Sequence, residues 1–253
     1  TYTAVDTSEK FAALIAELRQ SQCISFDTET TSIHPTQAEP VGYALCTRPG
    51  IAHYVPVRGP AGATVLDNQQ VLAELGPILA DPHIEKIGQN IKYDVAVLKR
   101  YGVEIGPVDD TMLISFVLDA GKHNHGMDDL AERYLQQKTI KFSDVAGSGA
   151  KQVSFDKVPI DKARDYAAED ADVTLQLWAQ FKPRLAQEHM VTMYETIERP
   201  LIPVLLGISV IVFAMMTLTP GGTLAAGAIA VLATIVGAAT ARREPSTAGA
   251  GGG

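Results

Sequence analysis

The sequence predicts a mixed α/β fold, a β-sheet flanked by helices, for the first 200 of its 253 residues. Short apolar runs rich in β-branched and aromatic residues come first. After them, segments with helical spacing of apolar residues alternate with strand-like runs. This order is typical of helices packed on a mixed sheet. From Leu201 the composition becomes almost entirely apolar, which separates a second part of the chain.

In the first hundred residues, helical spacing between Ser8 and Gln20 predicts a helix with Ser8 as its N-cap. "CISFDT" predicts a buried strand, and "VGYALCT" with "IAHYVPV" predicts a hairpin that turns at "RPG". "DNQQVLAELGPILAD" has the pattern of a helix, and "IEKIGQ" that of a short strand.

The following elements are mainly helical. "NIKYDVAVLKRYG" predicts a helix that Asn90 caps and Gly102 ends, and Asp110 is the expected N-cap of a helix over "TMLISFVLDA". "GMDDLAERYLQQ" predicts one more helix. A looser stretch, "DVAGSGAKQVSFDKVP", leads into a long helix from about Asp161 to Gln187.

Charge and cysteine content narrow the functional classes. The formal net charge is −8, whereas a protein that grips nucleic acid by charge alone is expected to be basic. An acidic enzyme can still act on phosphates when divalent metal ions reverse the local field. Cys23 and Cys46 lie in apolar runs without metal-ligand spacing, which favours a role in the core.

Three acidic clusters stand out. Asp27 and Glu29, in "FDTET", end a strand two residues apart, so both side chains point to the same side of the sheet. Asp94 follows Asn90 by four residues at the start of a helix. Tyr166 and Asp170 share one face of the long helix. Taken singly, each cluster also fits a bland role as a loop cap, a solvated helix start or a rim residue.

Together the clusters indicate one site. Carboxylates from separate elements that converge need a partner to offset their repulsion, and Mg²⁺ or Mn²⁺ suits their oxygen ligands. Two such ions, about 3.5–4 Å apart, are the arrangement for in-line cleavage of a phosphodiester. The other acidic residues of the long helix, Asp165, Glu169 and Asp172, are expected to face solvent.

The combination and order of several motifs resembles the 3′–5′ proofreading exonuclease domain of bacterial DNA polymerase I, in the tyrosine subclass of the DEDD exonuclease superfamily. The resemblance extends over nearly all of residues 1–205. The motifs are "FDTETTS", "GQNIKYD", "HGMDDLAERYL", "KTIKF", "DYAAEDADVTLQLW" and "IERPLIPVL". It implies a ribonuclease-H-like fold, two divalent cations and release of nucleoside 5′-monophosphates from a single-stranded or frayed DNA 3′ end.

The resemblance also implies roles for individual catalytic residues. Asp27 would bridge both metal ions, while Glu29 and Asp170 would complete the tighter ion site. Asp94 would hold the second ion, largely through water. Tyr166 would position the attacking water molecule.

Four further positions match substrate contacts of the family. Ile33 falls where an apolar side chain wedges against the terminal base. Gln89, Asn90 and Phe142 fall where the family contacts the frayed strand. For Ile33 and Phe142, plain core packing is an open alternative.

The family pattern stops near residue 206. Leu201–Leu218 and Leu224–Ala241 are two apolar runs joined by "TPGG", each just long enough to approach a membrane span. We therefore expect an exonuclease domain over 1–200, an apolar or transmembrane helical hairpin over 201–241 and a disordered tail over 242–253. A non-native junction is the alternative origin of this tail.

The leading prediction is a metal-dependent DNA 3′–5′ exonuclease that meets a polymerase in cis or in trans. One alternative is trimming of RNA 3′ ends, as in ribonuclease D. A second alternative is a membrane-tethered module that binds nucleic acid without catalysis. A cytoplasmic location is expected, or an inner-membrane tether through residues 201–241 with the first domain facing the cytoplasm.

Overall fold

The computed structural model of the protein describes residues 1–204. A six-stranded mixed sheet organises this part, with strand order β1-β4-β3-β2-β5-β6. The β2–β3 and β3–β4 pairs are antiparallel, and the other three pairs are parallel. The strands are β1 (Tyr2–Ala4), β2 (Cys23–Thr30), β3 (Pro40–Arg48), β4 (Ile51–Pro56), β5 (Glu85–Gly88) and β6 (Val108–Asp110).

Helices flank the sheet, as the sequence predicts. The α-helices are α1 (Ser8–Leu18), α2 (Asn68–Ala80), α3 (Lys92–Lys99), α4 (Thr111–Asp119), α5 (Met127–Leu130), α6 (Phe142–Ala146), α7 (Ile160–Gln187) and α8 (Val191–Met193). Two π-helical turns continue α5 and α8, at Ala131–Leu135 and Tyr194–Glu198. The short 3₁₀ turns are Gly149–Lys151 and Phe155–Lys157.

The two faces of the sheet carry different cores. Phe26 and Leu45 pack with apolar residues of α1 and α2 on one face. Ala44 and Tyr54 pack with the small side chains of α7 on the other. Side chains alternate along a strand, so Asp27, the neighbour of Phe26, faces α7. The end of β2 therefore turns its carboxylates towards the long helix.

A third core cluster joins the second half of α7 to α4, α5 and the segment after α7. Tyr194 is fully buried in it. Its hydroxyl donates to Asp109 Oδ1 (3.0 Å) and accepts from the backbone N–H of Asp110 (3.0 Å). These bonds fasten the segment that follows α7 to the edge strand β6.

Some predicted details were wrong. Thr7, not Ser8, caps α1 and accepts from the Lys10 N–H (3.3 Å). Asn90 does not cap α3, because its backbone is left-handed (φ 58°) and its N–H binds Asp110 instead. The short strands β1 and β6 and the helix α6 were not predicted, since a few residues carry too little periodicity to reveal them. Asp110 does cap α4, as expected.

Thr1–Ile202 form one folded unit. No helix within residues 1–204 is both long and apolar enough to cross a bilayer. The predicted apolar hairpin over 201–241 and the tail over 242–253 lie almost wholly outside the described residues. The predicted domain boundaries therefore stay predictions.

Candidate active site

Three carboxylates converge where β2 ends. Asp27 and Glu29 come from that strand, and Asp170 comes from the middle of α7, which packs across the same face. One carboxylate oxygen from each residue lies within 4.8 Å of the other two. Glu29 and Asp170 are buried and Asp27 is half-buried. The structure thus brings together three of the four predicted acidic residues around one point.

Asp94 lies directly beside this group. It is buried in the first turn of α3 and accepts two hydrogen bonds from Thr28, which sits between Asp27 and Glu29 on β2. The Thr28 backbone N–H donates to Asp94 Oδ1 at 2.9 Å and the Thr28 hydroxyl donates to the same oxygen at 2.6 Å. Asp94 is therefore oriented by the strand, but its oxygens are not part of the three-carboxylate group.

The carboxylates perturb each other strongly. Burial raises the pKa of Asp27 to about 6. Burial, followed by the charges of Asp27, Asp170 and Asp94, raises the pKa of Glu29 well above its usual range. The pKa values of Asp94 and Asp170 are likewise raised by burial and then by the charge of Asp27. Within residues 1–204, no basic side chain neutralises this cluster.

This donor set fits a divalent cation. Its ligand atoms are all carboxylate oxygens, which hard ions such as Mg²⁺ and Mn²⁺ prefer. Buried like charges without a basic partner are costly, and a bound cation would relieve that cost. Asp27, Glu29 and Asp170 are accordingly the residues that could hold a metal ion, with Asp94 next to them.

Tyr166 lies one helical turn before Asp170, and its hydroxyl is close to the Asp170 carboxylate. Burial and the charges of the acidic cluster raise its pKa, so the hydroxyl stays protonated at neutral pH. Its ring packs at 6.1 Å from Phe142 and 5.8 Å from Phe155, between ring centroids. The aromatic contacts hold a neutral hydroxyl group beside the carboxylates.

A cavity of about 780 Å³ opens over the acidic cluster. Of the predicted substrate contacts, Ile33, Asn90 and Phe142 line it. The Ile33 side chain is 85% exposed, so it is not a core residue, and Phe142 is 37% exposed. Gln89 does not line the cavity. Its side-chain amide donates to the His125 carbonyl oxygen (2.8 Å), and its side-chain oxygen accepts from the Thr111 hydroxyl.

Sequence reasoning missed several residues that line or support the cavity. Phe155 and Tyr93 line it, and the Tyr93 hydroxyl bonds the Ser32 carbonyl and the Thr30 hydroxyl, next to Ile33. Tyr93 lies inside the motif "GQNIKYD", so its place beside Asp94 was the available signal. Phe155 had no such signal, because it lies in a short 3₁₀ turn within the stretch before α7, outside the acidic motifs.

The expectation that Glu169 and Asp172 face solvent was wrong. Both are buried on α7. Glu169 accepts from the backbone N–H of Ile140 (2.6 Å), and Asp172 accepts from the Tyr2 hydroxyl (3.0 Å) and the backbone N–H of Gly50 (2.8 Å). A helix buried on more than one side places polar residues against other elements, which the helical period alone does not reveal.

The fold and the acidic site together define a class of protein, the exonucleases with a mixed sheet flanked by helices. The sequence model of the 3′–5′ exonuclease family of DNA polymerase A type matches residues 2–186. The chain belongs to this 3′–5′ exonuclease family, whose members depend on divalent metal ions.

Curated relatives agree with this membership. The chain is 48% identical to DNA polymerase I of Rhizobium leguminosarum, over 76% of this chain and 21% of that protein. It is 43% identical to DNA polymerase I of Pseudomonas aeruginosa, over 81% of this chain and 23% of that protein. The chain therefore spans about a fifth of the length of the curated relatives it matches.

Solved structures show the same fold at lower identity. NrnC of Brucella melitensis with bound Mg²⁺ aligns with a TM-score of 0.60 at 20% identity, covering 80% of this chain and 90% of that one. Escherichia coli RNase D, an exoribonuclease, aligns with a TM-score of 0.63 at 18% identity, covering 81% of this chain and 50% of that one. At these identities the likeness concerns the fold alone.

Proposed function

We propose that this chain removes nucleotides one at a time from DNA 3′ ends, with two Mg²⁺ or Mn²⁺ ions, and releases nucleoside 5′-monophosphates. The observation that carries the proposal is the meeting of Asp27, Glu29 and Asp170 within 4.8 Å at the floor of an open cavity. DNA polymerase I relatives at up to 48% identity support DNA as the substrate. A polymerase partner, in cis or in trans, follows from the same relatives.

Each residue has a role in this proposal. Asp27, Glu29 and Asp170 hold the ions, and Asp94, fixed by Thr28, assists from beside them. When bound, the ions supply an activated water and stabilise the charge that develops on the leaving oxygen. The protonated Tyr166 hydroxyl orients the attacking water, because it lies beside Asp170 and stays neutral.

The cavity rim would receive the substrate end. The exposed Ile33 side chain is free to pack against the last base, and Phe142 offers a half-exposed aromatic face for a neighbouring base. Base–aromatic stacking of this kind tolerates any base, since every base has a π-face. Asn90, which lies between the end of β5 and the start of α3, completes the lining.

The test is removal of Asp27. With a 5′-labelled primer carrying a mismatched 3′ end, we expect Asp27→Ala to trim at less than about a hundredth of the parent rate in Mg²⁺. Loss of a mere outer partner of a metal ligand already costs about 10–100-fold. Asp161→Ala is the matched control, because Asp161 is an exposed carboxylate on α7. Equal rates for Asp27→Ala and the parent would refute the role of Asp27.

The same assay distinguishes DNA from RNA. The carboxylates act on the phosphate and so suit either sugar, and solved neighbours such as RNase D share the fold. Matched DNA and RNA oligomers would be degraded side by side with and without EDTA. Faster degradation of RNA would favour the alternative of RNA trimming, and single-strand binding without turnover in Mn²⁺ would favour a non-catalytic module.

A further inference from the structure

A buried tyrosine hydroxyl near the site has no hydrogen-bond partner within residues 1–204. Tyr54, on β4, is fully buried, and within the described residues its hydroxyl oxygen makes no hydrogen bond. A buried polar group without a partner costs free energy, so its presence in a folded core calls for an explanation. The hydrophobic packing of Tyr54 against α7 explains why its ring is buried, but it does not explain why its hydroxyl is buried.

The sheet register aims this hydroxyl at the acidic cluster. Tyr54 on β4 is paired with Ala44 on β3. Glu29 on β2 is paired with Gly42, which precedes Ala44 by two residues on β3. A Cβ atom added at Gly42 would overlap the tip of the Tyr54 ring and its hydroxyl. Since directly paired residues have Cβ atoms about 4.5–5.5 Å apart, the hydroxyl lies on the same face of the sheet as Glu29 and close enough to feel its charge.

Within residues 1–204, the Glu29 carboxylate lacks orienting hydrogen bonds such as those that Asp94 accepts. Asp94 is oriented by two hydrogen bonds from Thr28. No donor within residues 1–204 holds the Glu29 carboxylate in the same way. A tyrosine hydroxyl is protonated at neutral pH and has one O–H to donate. Ligating carboxylates are normally hydrogen-bonded by such outer groups.

We propose that Tyr54 is a positioning residue for Glu29: when a divalent cation is bound, the Tyr54 hydroxyl donates a hydrogen bond to the Glu29 carboxylate and holds it towards the cation. Gly42 is the residue that makes this possible, because any side chain there would fill the space of the Tyr54 ring. The inference rests on the proposed metal-dependent function and adds a residue that no acidic motif contains.

Tyr54→Phe tests the proposal by its opposite effects on metal affinity and stability. We expect Mn²⁺ affinity, measured by isothermal titration calorimetry, to fall about 10–100-fold. We expect the thermal midpoint of the metal-free protein to stay unchanged or rise, because the deleted hydroxyl had no partner there. Gly42→Ala, which displaces the ring, should weaken Mn²⁺ binding as well.

Tyr43→Phe is the matched control. Tyr43 is equally buried on β3 but faces the opposite side, where its hydroxyl donates to Asn68 Oδ1 at 2.7 Å. We expect this control to lower the thermal midpoint and leave Mn²⁺ affinity at the parent value.

The outcomes separate the two proposals. Parent-like Mn²⁺ affinity in Tyr54→Phe overturns the role of Tyr54 and leaves the nuclease proposal standing. A drop in metal-free stability together with affinity, as for a hydroxyl that only supports the fold, also overturns it. A parent protein that binds no Mn²⁺ at all overturns both.

Discussion

At the scale of single residues, the site is built from carboxyl groups that the fold buries next to one another, where their ionised forms are unfavourable. Asp27, Glu29, Asp94 and Asp170 all have raised pKa values, with burial as the first cause in each. Removing water from four neighbouring carboxyl groups costs stability once they ionise. Strongly perturbed pKa values of this kind cluster at functional sites.

The raised pKa values predict a pH dependence for the metal-free protein. Above about pH 4 the unfolded chain loses protons that the folded protein retains, so the unfolding free energy falls as pH rises. For Asp27 this contribution is complete below about pH 4 and is lost by about pH 6. The Asn side chain of Asp27→Asn stays neutral at every pH, so this variant should unfold a few degrees above the parent at pH 7.5 in EDTA, where the buried Asp27 carboxyl of the parent is ionised.

Thermal unfolding of both proteins at pH 4 and pH 7.5 checks this prediction. The difference in midpoint should nearly vanish at pH 4, and added Mg²⁺ should raise the midpoint of the parent more than that of Asp27→Asn. A difference of the same size at both pH values would contradict the assigned cause.

At the scale of elements, α7 does more than deliver Asp170. Its buried Glu169 reaches back to the segment that precedes α6 and accepts from the Ile140 N–H (2.6 Å) and the Gln137 side-chain amide (3.2 Å). Phe142, which lines the cavity, follows Ile140 by two residues. The helix therefore fixes one wall of the cavity through Glu169, the residue adjacent to Asp170.

Glu169→Ala should weaken this wall. Removing the acceptor leaves the Ile140 N–H without its partner, a loss of about 1–3 kcal/mol. Each kcal/mol lowers the midpoint of a domain of this size by about 2–4 °C. We expect lower thermal stability and slower trimming, with partial recovery in Glu169→Gln, which retains one oxygen. An unchanged midpoint in Glu169→Ala would show that the contact carries no stability.

At the scale of the whole molecule, the nuclease unit extends beyond the family match, which ends at residue 186. Tyr194 is fully buried, and Arg199 pairs with Glu85 on β5 at 2.6 Å. These residues close the edge of the sheet around the buried Asp109, which also accepts from the Trp178 side chain. The segment after α7 is thus part of the folded unit.

Shortened chains test this extension. A chain of residues 1–204 should unfold at a high midpoint and trim DNA in Mg²⁺, because it contains the complete Thr1–Ile202 unit. A chain of residues 1–187 lacks Tyr194, and loss of a large buried aromatic side chain costs about 3–5 kcal/mol. Its midpoint should be lower by about 10 °C. Equal midpoints for the two chains would contradict the proposed boundary.

The sequence by itself determined the features that depend on neighbours along the chain. Backbone geometry is periodic, so two carboxylates two residues apart on a strand point to the same side. For the same reason Tyr166, four residues before Asp170 on a helix, lies on the same face as Asp170. The mixed sheet with flanking helices, the hairpin and the long helix follow from the same periodicity. The family motifs then indicated which side chains belong to one site.

Only the tertiary structure decided what depends on packing between distant elements. It buried Glu169 and Asp172, turned Asn90 into a left-handed conformation and placed Asp94 behind Thr28. It also brought the Tyr54 hydroxyl, which has no hydrogen-bond partner within residues 1–204, near the site through the register of three strands. Periodicity determines which face of an element a residue occupies. Contacts between elements determine which residues pack against that face.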